Sequence, residues 1–167
     1  GLIVVVGVHR RALGDAVQRE LNRTCAGVVG GRRPQDRRRR LGLDDRIAVK
    51  EAWDALKAGR AEQARKLVSK LGAESPAYAV GLAYADLLLG DLAAAEEGFK
   101  TSLRSFPDMT PARIGLAQIY ESRRESEKVL GEYREILKRN PEDRWAKPRF
   151  EALRDDLVKA AMADARV

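Results

Sequence analysis

The chain has 167 residues, which is enough for one domain with a sizeable core and too few for two large ones. Its residues are 44% hydrophobic and 34% charged but only 5% aromatic, a composition typical of helical proteins and not of a β-sandwich. The net charge of +7 is concentrated in residues 1–46, where eleven Arg face five Asp or Glu, so the remainder is almost neutral.

Residues 1–46 show no sustained periodicity, and we expect them to form a disordered or irregular basic segment. Their apolar run Leu2–Val8 is far shorter than the ~20 residues of a membrane-spanning helix. The charged residues follow this run instead of preceding it, so it is not a complete signal peptide. Because the chain begins with Gly1 and not Met, the sequence leaves open whether it is a fragment of a longer protein.

A block of like charge ends this segment, and such blocks usually stay solvated. Six arginines within nine residues could bind phosphates or other anions through the release of counterions. No aromatic residues are interleaved for stacking on bases, so sequence-specific recognition of nucleic acid is not expected. The alternative is a linker without a partner. The arginines are Arg32, Arg33, Arg37, Arg38, Arg39 and Arg40.

From residue 47 onward the pattern predicts helices joined by short turns. The first two helices are predicted near 45–58 and 61–71, separated by Gly59, since glycine readily adopts the left-handed conformation that ends a helix. Ser75-Pro76 then predicts an N-cap followed by a first-turn proline, and so a helix over 76–89. Gly90 separates this helix from the next, predicted at 92–105.

Thr110-Pro111 repeats the N-cap and proline signal, which predicts helices over 110–123 and 126–139. Pro107 and Pro141 follow the second helix of each pair and lie 34 residues apart. A final helix over 146–165 has an apolar face whose members are spaced by three, four and four residues. These are Phe150, Leu153, Leu157 and Ala161.

Two segments align without a gap and show one pattern of large, small and aromatic residues. The first segment carries Leu82-Ala83, Ala95, Phe99, Ser102 and Pro107. The second carries Leu116-Ala117, Tyr120, Val129, Tyr133, Ile136 and Pro141. An earlier, weaker unit matches the first at a constant offset of 31 residues, through Ala52, Gly59, Ala64 and Val68. Small residues let paired helices approach closely, and the aromatic residue fills the gap to the next unit.

This pattern resembles the tetratricopeptide-repeat family over roughly residues 48–150, and its Ala-rich units are similar to those of bacterial members. The resemblance implies an all-α fold, an α-solenoid of antiparallel helix pairs over residues 47–167. Its units would span about 45–75, 76–109 and 110–143, followed by the helix at 146–165. Phe99, Tyr120 and Tyr133 are assigned to the core.

The resemblance also implies a concave groove lined by the first helix of each unit. Apolar side chains there would bind a partner helix or an extended apolar peptide. The alternative for Trp53, Tyr84, Leu88 and Ile114 is core packing, because aliphatic and aromatic stripes at helical spacing are usually buried. The predicted groove residues are Trp53, Val80, Tyr84, Leu88, Ile114 and Gln118.

The residue types needed for catalysis are few. His9 is the only histidine and Cys25 the only cysteine, so a zinc site, a catalytic triad and an intramolecular disulfide are not expected. The glycines at 27, 30 and 31 lack the lysine of a phosphate-binding loop. The sequence therefore predicts no enzyme, no metal and no cofactor.

The leading functional hypothesis is a protein–protein interaction scaffold that binds a protein or peptide in its groove. One alternative is an adaptor that binds nucleic acid or an anionic membrane through the arginines of residues 32–40. Another is the accessory repeat region of a larger bacterial enzyme, such as a periplasmic protease. The compartment stays open, with the cytoplasm slightly favoured over a periplasmic or membrane-tethered location.

Overall fold

A computed structural model describes the backbone of residues 43–71 and 75–165, and this part of the chain is all-helical, with no strand. The predicted bounds of the helices at 76–89, 92–105 and 126–139 are confirmed, and the other four differ at one end or both by one to three residues. The helices are α1 (Leu43–Lys57), α2 (Ala61–Val68), α3 (Pro76–Leu89), α4 (Leu92–Ser105), α5 (Thr110–Ser122), α6 (Ser126–Arg139) and α7 (Ala146–Asp164).

The helices belong to two compact units, of which the first ends at Gly115 and the second begins at Leu116, within α5. In the first unit α1 packs on α2, α2 on α3 and α3 on α4, and α1 also contacts α3. In the second unit α6 packs on α7. The all-α prediction is therefore confirmed for the described residues, in which neighbouring helices pack against each other.

One type of turn recurs between α1 and α2, between α3 and α4, and between α5 and α6. In the first, the amide of Gly59 donates to the carbonyl of Leu56 (3.0 Å) and that of Arg60 to Ala55 (2.8 Å). These two bonds form the Schellman motif, which ends a helix with a residue in the left-handed conformation. The other two turns make the same pair of bonds. Their left-handed residues are Gly90 (φ +86°) and Arg124 (φ +60°).

The sequence predicts a left-handed conformation for Gly59 and Gly90 at the ends of their helices, and the positive φ of both residues confirms that prediction. The third turn carried no such signal, because Arg124 has a side chain that disfavours this backbone conformation. All three turns also place the left-handed residue two positions before the next helix. The geometry of the turn is thus repeated even where the residue type is not.

Small residues at helix contacts allow the close packing of the first unit. A Cβ atom built on Gly81 would lie 2.7 Å from Val68 Cγ2, and one on Gly98 would lie 2.9 Å from the Cβ of Ala83. Both distances are shorter than real Cβ contacts allow, so no larger residue fits without a shift. The predicted role of small residues in bringing helices together is supported at these contacts.

Phe99 on α4 is completely buried in the core of the first unit. A Cβ atom on Gly115 would lie only 2.2 Å from its Cζ atom, so the ring occupies the space that a side chain at 115 would need. Burying a Phe side chain contributes roughly 1.5–3 kcal/mol to folding. The assignment of Phe99 to the core is confirmed, as are those of Tyr120 and Tyr133.

The second unit has its own aromatic contact, between Tyr133 on α6 and Trp145 at the start of α7. Their rings meet edge to face with centroids 5.4 Å apart. The hydroxyl of Tyr133 donates to Glu121 Oε1, and burial is the main cause that raises the pKa of Tyr133. Asp143 Oδ1 accepts from the amides of Trp145 (3.0 Å) and Ala146 (2.9 Å), which satisfies free N–H groups at the start of α7.

Candidate protein-interaction surface

Four of the six predicted groove residues lie in the core of the first unit. Trp53, Val80, Tyr84 and Ile114 each have at most 5% of their surface exposed. Core packing, the alternative for Trp53, Tyr84 and Ile114, matches their burial, and Val80 is buried with them. In this conformation their side chains have almost no surface to offer a partner.

Tyr84 shows how firmly this cluster is packed. Its ring meets Trp53 edge to face with centroids 5.2 Å apart, and Phe99 in the same way at 4.9 Å. Its hydroxyl donates to the carbonyl of Pro111 at 2.8 Å, and burial raises the pKa of Tyr84. Tyr84 on α3 therefore contacts α1, α4 and the first turn of α5 at once.

Leu88 is the predicted groove residue of the first unit that keeps accessible surface, since its side chain is only partly buried. Leu89, the next residue, is 46% exposed. Successive residues of an α-helix point about 100° apart, so the two leucines face different directions from the end of α3. Substitutions at Leu88 and Leu89 can therefore distinguish which side of α3 a partner contacts.

Gln118 belongs to the second unit and is also partly buried. Its amide can donate and accept hydrogen bonds, which suits contact with the backbone of a peptide. The arginines of residues 32–40, the predicted anion-binding residues, lie outside the described part of the chain, and so do residues 1–42 as a whole.

The last half of α7 carries apolar surface that the sequence reading missed. Val158 is 52% exposed and Met162 is 58% exposed, and every residue from Val158 to Ala165 is classed as exposed. In the predicted apolar face of this helix, Phe150, Leu153 and Leu157 are partly buried, whereas the last member, Ala161, is exposed. Neither exposed side chain lies on the spacing of three and four residues that identified that face, so periodicity alone could not find them.

Within residues 43–71 and 75–165, no group of three or more His, Cys, Asp or Glu side chains is arranged to hold a metal ion. None of the helices in this part of the chain combines the length and apolar character needed to cross a membrane. The ion pairs Glu96–Lys100 and Asp54–Lys50 each join partly or largely exposed side chains one turn apart on a single helix, and Arg65–Asp86 joins α2 to α3 at 3.5 Å. Pairs of this kind contribute ~0–1 kcal/mol and do not indicate a reaction centre.

Comparison with known proteins leaves the family undetermined. No protein-family model matches the sequence, and a search of curated proteins finds no significant match. The interpretation of this chain therefore depends on its own residues and on the packing described above.

Proposed function

We propose that this chain is a non-catalytic scaffold for protein–protein interaction, built as a solenoid of tetratricopeptide-like helix pairs. The observation that carries the proposal is the recurring turn, with its left-handed residue at positions 59, 90 and 124. Intervals of 31 and 34 residues separate these positions, in keeping with a repeated helix pair. Stacked helix pairs create extended surfaces, and binding is the usual use of such surfaces.

The partner in this proposal is a helix or extended peptide with apolar side chains, which binds to the accessible part of the first helices. In the first unit that part includes Leu88, while the buried cluster of Trp53, Val80, Tyr84 and Ile114 holds the helices in place. In the second unit it includes Gln118. Few residues of an interface usually carry most of the binding energy, so one contact residue per unit, apolar Leu88 and polar Gln118, is sufficient.

Affinity capture with the 167-residue chain, followed by mass spectrometry, would identify the partner. Its affinity would then be measured for Leu88→Glu and for the matched control Leu89→Glu. We expect Leu88→Glu to weaken binding by about 2 kcal/mol or more, roughly thirtyfold, because the new carboxylate is desolvated against an apolar partner. Leu89→Glu, on a different side of the helix, should leave the affinity unchanged.

The rival function, binding of nucleic acid or an anionic membrane through residues 32–40, makes opposite predictions. It requires binding to fall steeply as salt is added and to disappear when the arginines of this run are replaced by glutamine. It also requires Leu88→Glu to have no effect. Equal affinity of Leu88→Glu and the unmodified chain for the captured partner would refute the apolar surface, and loss on replacing the arginines would establish the rival. Gln118→Ala tests the second unit by itself.

A further inference from the structure

The second half of α7 has a charge and size pattern that is complementary to itself. Arg154, Leu157, Ala161 and Asp164 are spaced by three, four and three residues, so they lie on one face of the helix. The order along this face is a cation, a large apolar residue, a small apolar residue and an anion. Lys159 is at the centre of the series and points to the opposite side of the helix, since it lies about 180° from the face.

We propose that this face binds the same face of a second copy of the chain, with the two α7 helices antiparallel about a two-fold axis at the level of Lys159. In that arrangement Arg154 of each copy faces Asp164 of the other. Leu157 of each copy faces Ala161, so a large side chain meets a small one. The interface is isologous, as the interfaces of two-fold dimers are.

Two exposed apolar residues lie beside the face. Val158 and Met162 lie on one side of it, and a two-fold axis perpendicular to both helices keeps them on that side in both copies. Met162, which is 58% exposed in the single chain, lies about 120° from the centre of the face and points away from the partner. Val158, which is 52% exposed, lies about 80° from the centre, at the edge of the contact, where the partner covers part of its side chain. Removing this surface from water favours association.

Existing ion pairs do not prevent this exchange of partners. Arg154 Nη2 lies 2.8 Å from Asp155 Oδ1, but both side chains are more than half exposed, and such pairs contribute little. Asp164 is exposed at the end of α7. The contact covers about three helical turns on each copy. Its area is smaller than the ~1,200 Å² or more that a stable interface buries, so the dimer is weak and forms reversibly as concentration rises.

Sedimentation velocity of the 167-residue chain over a concentration series tests the proposal. The sedimentation coefficient should rise with concentration towards that of a dimer. Arg154→Asp and Asp164→Arg should each raise the dissociation constant about tenfold or more, because like charges then face each other. The double variant with both changes exchanges the charges and should restore the dimer. Val158→Glu should weaken the dimer in the same way, whereas the controls Met162→Glu and Leu89→Glu should not.

Because every substituted residue is exposed, far-ultraviolet circular dichroism should show unchanged helix content in each variant. A chain that stays monomeric at all concentrations would overturn the proposal, as would a dimer in which the double variant is no tighter than the single ones. The inference does not depend on the proposed scaffold function. Loss of partner binding in Leu88→Glu is a separate measurement, so either proposal can fail while the other stands.

Discussion

Gly115→Ala is the substitution that most directly tests how tightly the helices of the first unit pack. The added Cβ atom would lie 2.2 Å from Cζ of Phe99, 2.4 Å from Cε2 and 2.6 Å from Cε1. The ring cannot simply move aside, because it is completely buried and meets Tyr84 at 4.9 Å. Overpacking of this kind costs about 3 kcal/mol, and the better helix propensity of Ala offsets about 1 kcal/mol. The expected net loss of stability is therefore about 2 kcal/mol.

Gly131→Ala is the matched control, since it makes the same chemical change inside α6. A Cβ atom there meets nothing within 4 Å, and Gly131 is not among the glycines with positive φ. Only the gain in helix propensity remains, so this variant should be stabilised by about 0.5–1 kcal/mol. The two variants should then differ by about 3 kcal/mol although each adds one methyl group.

Urea denaturation followed by circular dichroism measures both values as shifts of the midpoint at constant slope. Phe99→Leu in the Gly115→Ala background supplies a further check. The smaller side chain makes room for the new methyl group. The double variant should therefore lose less stability than the sum of the losses of the two single variants. If Gly115→Ala proves as stable as Gly131→Ala, the close contact between position 115 and Phe99 is refuted. It is also refuted if the double variant loses as much free energy of unfolding as the two single variants together.

Three further predictions concern the turns and the buried cluster. Gly90→Ala should cost about 1–2 kcal/mol, because Ala is strained at φ +86° although a Cβ atom meets nothing within 4 Å there. Arg124→Gly should raise stability by about 0.5–1 kcal/mol in the same urea assay, since glycine relieves the strain at φ +60°; an unchanged midpoint would contradict that conformation. Tyr84→Phe should cost about 1–2 kcal/mol because the carbonyl of Pro111 loses its buried donor, and a smaller cost than 0.5 kcal/mol would mean that water replaces it.

Much of the helical architecture could be predicted from the sequence because its signals are local. Ser75-Pro76 starts α3 through the fixed φ of proline, although the serine side chain makes no capping hydrogen bond. Gly90 ends the same helix through its freedom to adopt a positive φ. Asp91 then caps α4, with its side chain accepting from the amide of Ala94 at 3.0 Å. Each signal acts within a few residues, so no knowledge of the fold was needed.

The surface of the protein could not be predicted in this way. Val80, Tyr84 and Leu88 occur at helical spacing on one side of α3, and periodicity treats them alike. Only packing separates them, because residues of α1, α4 and the first turn of α5 contact Tyr84, whereas Leu88 stays partly exposed near the end of the helix. The sequence by itself determined where helices begin and end and which residues are apolar. The tertiary structure decided which of those apolar residues remain in contact with water, since exposure depends on neighbours that are distant along the chain.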